Sequence, residues 1–195
     1  MKFRNRKGFY MQKIILASAS PRRRELLETA GVDFEILVSQ ADESVPDGTP
    51  PEAAAVMTAE KKARAVKALR PDGTVIGADT VVVSGGEIMG KPADRQDAVR
   101  MLSRLSGKVH TVVTGVCILG KDKEISFAQS TKVEFYPLSD GEIEAYVDSG
   151  EPMDKAGAYG IQGLGCTLVK GIEGDYFNVV GLPVARVVQE LRKIQ

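Results

Sequence analysis

The residues near the start of the chain that are best suited to bind a ligand are two serines and three consecutive arginines. Ser18 and Ser20 precede Pro21, and residues 22–24 are all arginine. Serine before proline is typical of a helix N-cap followed by the first helical residue. The arginines then fall in the first helical turn, where the helix dipole already carries partial positive charge. This arrangement would suit a bound phosphate group, and a solvent-exposed basic turn is the alternative.

A second candidate is a carboxylate inside the most apolar segment of the chain. Residues 74–83 are predicted to form a buried strand, and Asp79 stands near its middle. An unpaired carboxylate in a central strand is costly, so either a hydrogen-bond network or a metal ion must compensate its charge. Gly77 and Ala78 beside it would leave room for a ligand to approach closely. We therefore expect Asp79 to be functional.

Two further carboxylates follow the second predicted strand, residues 34–38. Asp42 and Glu43 are adjacent in the loop just beyond its end. The pair is either part of an ordinary solvated loop or a source of a Mg²⁺ ligand or a water-orienting carboxylate. A zinc site is not indicated, because the single His and two Cys of the chain lack metal-ligand spacing.

Helices and strands alternate in the first half of the chain, and hairpins follow. Predicted strands cover residues 13–17, 34–38, 74–83, 108–119, 124–136 and 167–172, with a return segment over 87–92. Predicted helices cover residues 21–30, 50–69, 94–105, 139–148 and 184–194. This order favours an α/β fold with a mixed sheet over a purely parallel one.

Composition and charge exclude several function classes. Lys plus Arg and Asp plus Glu each total 26 in 195 residues, so no net field draws the protein to nucleic acid or to an anionic membrane. No apolar run approaches the ~20 residues that a membrane-spanning helix needs. Cys117 and Cys166 are predicted to be buried thiols of a reduced compartment, with a disulfide as the less favoured alternative. We therefore expect a cytoplasmic protein.

The first residues of the chain are predicted to stand apart from the folded part. Residues 1–12 would form a short extension, and 13–195 a single domain. The extension is basic but lacks the apolar core of a secretory signal. Met11 comes directly before the first predicted strand, so we expect the natural start at Met11; a basic arm for nucleic acid is the alternative.

An ordered set of motifs gives the chain a recognisable pattern. The motifs lie at residues 18–23, 77–80, 90–92, 105–115, 154–162 and 178–183. Together they resemble the Maf family of nucleoside triphosphate pyrophosphatases, also known as septum-formation inhibitors, from about residue 13 to the C-terminus. Each motif is weak alone, but the ordered set is specific. The stretch 155–162 resembles the family branch that acts on dTTP and UTP, including modified uridine triphosphates.

The resemblance implies a fold and an activity. The fold would be related to the inosine-triphosphate pyrophosphatase architecture, in which an extended mixed sheet with flanking helices forms two lobes around a central cleft. The activity would be Mg²⁺- or Mn²⁺-dependent hydrolysis of dTTP or UTP to the monophosphate and pyrophosphate, with water attacking the α-phosphorus. A homodimer is also expected. The alternative is a nucleotide-binding regulator of septum formation without significant catalysis.

The resemblance also suggests roles for individual residues. Asp79 would be the proton acceptor and a metal ligand, and Glu43 is our candidate for a second carboxylate on the metal. The triphosphate would be bound by Ser18, Arg22, Arg23, Lys62 and Lys91. Gln162 would read the edge of the base, and Thr80 matches a position linked to specificity.

Tyr159 and His110 can each be interpreted in two ways. Tyr159 would stack on the base, or it is a core tyrosine whose hydroxyl is satisfied. His110 falls inside one of the motifs, but its place on a strand between valines is more typical of a structural hydrogen-bonding residue than of direct chemistry.

Overall fold

The computed structural model describes residues 13–194. The predicted extension over 1–12, with its proposed start at Met11, lies outside the described residues, as does Gln195. The predicted domain boundaries therefore stay predictions. Each helix found between residues 13 and 194 is too short or too polar to cross a membrane.

The secondary structure follows the alternation that the sequence predicts. The helices are α1 (Pro21–Thr29), α2 (Pro51–Leu69), α3 (Arg95–Leu105), α4 (Asp140–Asp148), α5 (Tyr176–Val180) and α6 (Val184–Ile194). The strands are β1 (Ile14–Leu16), β2 (Phe34–Ile36), β3 (Thr74–Ser84), β4 (Glu87–Met89), β5 (Val109–Leu119), β6 (Glu124–Phe135) and β7 (Val169–Glu173). Single 3₁₀ turns occupy Glu151–Asp154, Ala156–Ala158 and Gly163–Thr167.

The strands of the described region form one seven-stranded mixed sheet. Its order is β2-β1-β3-β5-β6-β7, and β4 pairs with the far end of β3. β1 is parallel to β2 and β3, whereas the pairs β3–β4, β3–β5, β5–β6 and β6–β7 are antiparallel. Helices connect the parallel strands and a hairpin joins β5 to β6, as expected for these two kinds of pairing. The prediction of an α/β fold with an extended mixed sheet is confirmed.

Two hydrophobic cores lie one after the other along the same face of β3. Ala78 belongs to the first core, with α1 and α6 packed over it, and Val82 belongs to the second, with α3 and α4. Because side chains alternate along a strand, Thr80 lies on that same face between the two cores. The opposite face carries a third core, formed between α2 and the strands that it covers. The long strands thus hold two lobes on one sheet, with a cleft between them.

Local capping explains where several helices begin. The Ser20 side chain accepts a hydrogen bond from the backbone of Arg23, and Pro21 follows it as predicted. Ser139 and Glu142 form a complete capping box at α4. These starts depend on neighbouring residues only, which is why the sequence predicts them.

Three local features differ from the prediction. β2 is a short edge strand that ends at Ile36, two residues before the end of the predicted strand, and Ile36 is 46% exposed. β7 begins at Val169, two residues after the predicted start of that strand, and Cys166 lies exposed in the 3₁₀ turn Gly163–Thr167 before it. The expectation of two buried thiols therefore holds only for Cys117, where burial raises the thiol pKa to about 11.

Candidate active site

A cleft of about 910 Å³ lies between the two lobes. Its walls come from the segment before α1, the middle of β3, α2, the chain after β4 and the loop over 151–163. It is lined by every residue that the sequence predicts for the site: Ser18, Arg22, Arg23, Glu43, Lys62, Asp79, Thr80, Lys91 and Gln162. The structure therefore brings these side chains into one groove, and their roles in binding and catalysis stay predictions.

The negative charge of Asp79 is balanced by a lysine from α2. The Lys62 Nζ lies 2.8 Å from Asp79 Oδ1 and 2.8 Å from Glu43 Oε2. Only 11% of the Lys62 side chain and 20% of the Asp79 side chain are exposed, whereas Glu43 is largely open to solvent. An ammonium has three N–H donors, so one remains for a ligand in the cleft after both carboxylates are bonded.

Two glycines allow α2 to come close enough for this ion pair. A Cβ added at Gly77 would overlap the backbone of Ala59, and one added at Gly115 would overlap the backbone of Ala55. The expectation that Gly77 leaves room for a ligand is therefore wrong, because its missing side chain accommodates α2 instead. The same close approach carries Lys62 to Asp79.

Arg23 is buried in the floor of the cleft with its guanidinium already bonded. Its Nε donates to the Gly181 carbonyl at 2.9 Å and its Nη1 donates to the Ala78 carbonyl at 2.8 Å. Further bonds run from Nη1 to Ser18 Oγ at 3.0 Å and from Nη2 to Thr80 Oγ1 at 3.0 Å. Burial lowers the pKa of Arg23, and the charge of Asp79 opposes that shift. The residue therefore links α1 to three other places beneath the cleft: the segment before α1, strand β3 and the end of α5.

Ser18 and Thr80 are both held by this guanidinium. Ser18 Oγ also accepts a hydrogen bond from the Ser20 backbone at 3.3 Å, which leaves its hydroxyl proton free to be donated. Thr80 Oγ1 lies 2.9 Å from Thr114 Oγ1, on the face of β3 opposite to Asp79. Adjacent residues of β3 thus point to opposite faces of the sheet, Thr80 toward Arg23 and Asp79 toward α2.

Arg22 reaches across the cleft to the loop over 151–163. Its Nη1 lies 3.2 Å from Asp154 Oδ2, and the Lys155 Nζ lies 2.7 Å from the other oxygen of the same carboxylate. Burial tends to raise the pKa of Asp154, but the hydrogen bond from Lys155 and the charge of Arg22 outweigh it and hold the pKa below its usual range. The Asp154 carboxylate thus lies between two cations, one from α1 and one from its own loop.

The three arginines of the first helical turn have different surroundings. Arg22 faces the cleft, Arg23 is buried, and Arg24 pairs with Glu28 on the solvent side of the helix at 3.6 Å. The basic segment is thus neither a uniform phosphate receptor nor a uniformly solvated turn.

Lys91 and Gln162 are exposed residues on the rim of the cleft. Gln162 lies in extended conformation directly before the 3₁₀ turn Gly163–Thr167. Its side-chain amide forms no hydrogen bond with another residue between 13 and 194. Both side chains are therefore available to a ligand.

His110 and Tyr159 form a buried pair in the second core. The His110 Nε2 lies 2.7 Å from the Tyr159 hydroxyl, and both rings make edge contacts with Phe135. Burial lowers the pKa of His110 to about 4 and raises that of Tyr159, so both groups are neutral at physiological pH. Tyr159 borders the cleft but is only 5% exposed. The core interpretation therefore describes both residues.

The carboxylates of the cleft offer oxygen ligands for a divalent ion. Among residues 13–194, no group of three or more His, Cys, Asp or Glu side chains is arranged around a common metal position. Asp79 and Glu43 nevertheless converge on one cationic group, the Lys62 ammonium. Hard oxygen donors suit Mg²⁺ or Mn²⁺, and Mg²⁺ commonly takes only one or two protein carboxylates beside phosphate oxygens. The donor set therefore fits an ion that arrives with a nucleotide.

Sequence reasoning gave no role to three residues that line the cleft. Glu151, Asp154 and Lys155 all come from the loop over 151–163. Asp154 and Lys155 belong to the motif at residues 154–162 that supports the family resemblance, and this motif is the sequence feature that could have pointed to them. Glu151 precedes that motif, and its contacts depend on the folded loop.

Known proteins resemble this chain over almost all of its length. The Maf-like protein family matches residues 13–194. A dTTP/UTP pyrophosphatase of Bacillus anthracis is 51% identical over 183 residues, which cover 94% of this chain and 96% of that protein. A protein of the same name from Bacillus cereus is 50% identical over 188 residues, covering 96% and 93% of the two chains. The motif order, the two-lobed sheet and these matches agree, and the chain belongs to the Maf-like protein family.

Proposed function

We propose that the protein is a nucleoside triphosphate pyrophosphatase that hydrolyses dTTP and UTP, with modified uridine triphosphates as further candidate substrates. The products would be the nucleoside monophosphate and pyrophosphate. The main observation behind the proposal is the position of Asp79, a largely buried carboxylate in the wall of the cleft. Cationic side chains from several distant segments line the same cleft. The printed names of the relatives support the same activity.

The cations of the cleft match a polyanionic substrate. Arg22, Lys62, Lys91 and Lys155 line it from four separate segments. A triphosphate would replace Asp154 as the partner of Arg22, because a guanidinium binds phosphate oxygens bidentately. Ser18 would donate its free hydroxyl proton to a phosphate oxygen. We assign Arg23 to positioning, because four of its five guanidinium N–H donors are already bonded to the protein.

The reaction needs a proton acceptor beside the attacking water. The water oxygen would form a bond to the α-phosphorus while the bond from that phosphorus to the bridging oxygen breaks, and the bonding electrons would leave with pyrophosphate. Asp79 would accept the proton of the water. Lys62 would hold the Asp79 carboxylate in place through their 2.8 Å contact. The free N–H of Lys62, with Arg22 and Lys91, would stabilise the charge that develops on pyrophosphate.

The proposal includes a divalent metal ion, Mg²⁺ or Mn²⁺. Asp79 and Glu43 would be its protein ligands, and phosphate oxygens and water would complete the set. When bound, such an ion supplies positive charge beside the phosphates and makes a nearby water easier to deprotonate.

Base recognition is proposed for Gln162. Uracil and thymine present an N3–H donor flanked by carbonyl acceptors, which an amide can match with one acceptor and one donor. Cytosine lacks that N3–H, so an amide held in this orientation would favour uracil and thymine over cytosine. Thr80 would contribute to specificity from beneath the cleft, where it holds the guanidinium of Arg23.

The homodimer is proposed from the family resemblance alone, whereas the cytoplasmic location and the lack of nucleic-acid binding are proposed from composition and charge. We expect a homodimer in the cytoplasm that does not bind nucleic acid. A non-catalytic regulator of septum formation would not need a carboxylate such as Asp79 beside the substrate-binding cations. Catalysis is therefore the favoured interpretation. Light scattering of the purified full chain tests the dimer.

A direct assay tests the activity. The full chain is incubated with UTP and Mg²⁺, and the products are separated and identified. Pyrophosphate and UMP in equal amounts are expected. Release of orthophosphate would indicate a different phosphatase, and absence of any product would refute the proposed catalysis. A panel of dTTP, UTP, CTP and GTP then tests the assignment of the base.

A further inference from the structure

The backbone around Gln162 is fixed although its side chain is unbonded. Gly163 has a positive φ of 64°, a conformation that suits glycine, and the 3₁₀ turn Gly163–Thr167 follows it. A long polar side chain on a fixed backbone loses less freedom when it binds a ligand than one on a mobile loop. Whatever holds this backbone therefore determines where the Gln162 amide is presented.

One carboxylate holds the chain on the far side of Gln162. Glu151 Oε2 accepts a hydrogen bond from the Leu164 backbone at 2.9 Å, and Glu151 Oε1 accepts one from the Gly165 backbone at 3.2 Å. The Tyr146 hydroxyl donates to the same Oε1 at 2.9 Å. Burial tends to raise the pKa of Glu151, but these hydrogen bonds outweigh it and keep the pKa below its usual range.

The same pair also holds the chain on the near side of Gln162. The backbone N–H of Gly160 donates to the Tyr146 hydroxyl at 3.2 Å. Tyr146 is 5% exposed and belongs to the second hydrophobic core, so its hydroxyl is a fixed point. The hydrogen bonds of Glu151 and Tyr146 therefore bracket Gln162 from both directions along the chain.

The loop is wrapped closely around these two side chains. A Cβ added at Gly163 would lie 2.6 Å from Glu151 Oε2, and one added at Gly165 would lie 2.8 Å from the Tyr146 hydroxyl. The missing side chains of both glycines thus leave space for the Glu151 carboxylate and the Tyr146 hydroxyl. The loop conformation that presents Gln162 depends on this carboxylate and this hydroxyl.

We infer that Glu151, supported by Tyr146, is a positioning residue for base recognition, which it controls by fixing the loop that carries Gln162. The inference rests on the proposed function insofar as Gln162 reads the base. Glu151 does not contact the substrate in this role, because its oxygens are occupied by the loop and by Tyr146. Loss of its charge therefore weakens recognition of the base and leaves phosphate binding intact.

The decisive variant is Glu151→Gln. Glutamine keeps the shape of the side chain but replaces one acceptor oxygen with an NH₂ donor, which then faces a backbone N–H or the tyrosine hydroxyl. The readout is the Kd of non-hydrolysable α,β-imido analogues of UTP and CTP. The Kd of the uridine analogue should rise about tenfold, within the range for loss of one good base contact, while that of the cytidine analogue changes less than about twofold.

Two other variants separate positioning from general weakening. Tyr146→Phe keeps the ring in the core and removes only the hydroxyl, so it should reproduce the selective loss for the uridine analogue even if Glu151→Gln folds poorly. Ser139→Ala removes the N-cap bond of the same helix, α4, without touching the loop. It should lower the melting temperature and leave the ratio of the two Kd values unchanged.

A double variant tests whether Glu151 acts through Gln162. Once Gln162→Ala has removed the amide, Glu151→Gln should change the Kd of the uridine analogue less than about twofold. Equal weakening of both analogues, or full additivity with Gln162→Ala, would overturn the inference. Pyrophosphate release from UTP by the unaltered protein is scored separately. Its absence would refute the proposed catalysis, and the ratio of Kd values would still decide the role of Glu151.

Discussion

Replacing Asp79 with asparagine should separate catalysis from folding. In the native site the Lys62 ammonium bonds both Asp79 and Glu43 at 2.8 Å. After the substitution, Lys62 keeps Glu43 as a charged partner, and the asparagine oxygen can still accept a hydrogen bond. Because the lost charge faces the cleft and is partly solvated, we expect the free energy of unfolding to fall by less than about 1 kcal/mol.

The effect on turnover should be far larger. A positioned general base contributes about 10²–10⁴-fold to the rate, which corresponds to roughly 3–5 kcal/mol of activation free energy. Asparagine cannot accept the proton of the attacking water, so kcat for UTP should fall by that factor. The Kd of a non-hydrolysable UTP analogue, measured without divalent ion, should stay the same or decrease, because one negative charge beside the phosphates is removed.

The assay combines pyrophosphate release, calorimetric binding and denaturant unfolding on the same preparation. Asp148→Asn is the matched control, because Asp148 is an exposed carboxylate that pairs with Arg95 at 2.7 Å, away from the cleft. It should leave all three measurements almost unchanged. A kcat for Asp79→Asn above about a tenth of the original value, less than the range expected for a general base, would refute the role of Asp79. Loss of binding without loss of stability would instead make it a binding residue.

Three further substitutions, together with Gly171→Ala as a control, probe the surroundings of the cleft. Arg23→Lys should lower the free energy of unfolding by roughly 2–4 kcal/mol, because an ammonium cannot replace the planar guanidinium that bonds two carbonyls and two hydroxyls from three segments. Gly115→Ala should cost about 1–3 kcal/mol through overpacking against α2, whereas Gly171→Ala meets nothing within 4 Å and should be tolerated. His110→Gln should flatten the loss of stability on acidification, because burial lowers the pKa of native His110 to about 4.

Denaturant unfolding at several pH values checks all three. For His110, the unfolded chain binds a proton near pH 6.5 while the native state does not, so stability is complete above that pH and falls as the pH drops toward 4. The loss should reach roughly 3 kcal/mol at most. Identical pH slopes for the original protein and His110→Gln would contradict this account. Equal stability of Gly115→Ala and Gly171→Ala, or a neutral Arg23→Lys, would contradict the other two.

The sequence predicts features that depend on neighbouring residues. The capping box at Ser139 and the long helix α2 are both present where local patterns place them. The apolar run with Asp79 at its centre is a strand, as its composition indicates. The order of the motifs was enough to identify the family, which the match over residues 13–194 confirms.

Contacts between distant segments could not be predicted in the same way. Arg23 is buried because its acceptors include the Ala78 and Gly181 carbonyls, 55 and 158 positions away along the chain. The sequence around Gly77 suggests space for a ligand, and only the path of α2 shows that this glycine serves helix packing. Glu151 likewise carries no local signal, because its partners come together only when the loop folds back on α4.

Hydrolysis in H₂¹⁸O tests the central claim most directly, namely that water activated beside Asp79 attacks the α-phosphorus. The full chain would be incubated with UTP and Mg²⁺ in labelled water, and the products analysed by mass spectrometry. The account predicts one ¹⁸O atom in each UMP and none in pyrophosphate. Label in pyrophosphate with unlabelled UMP would place the attack on the β-phosphorus and contradict it.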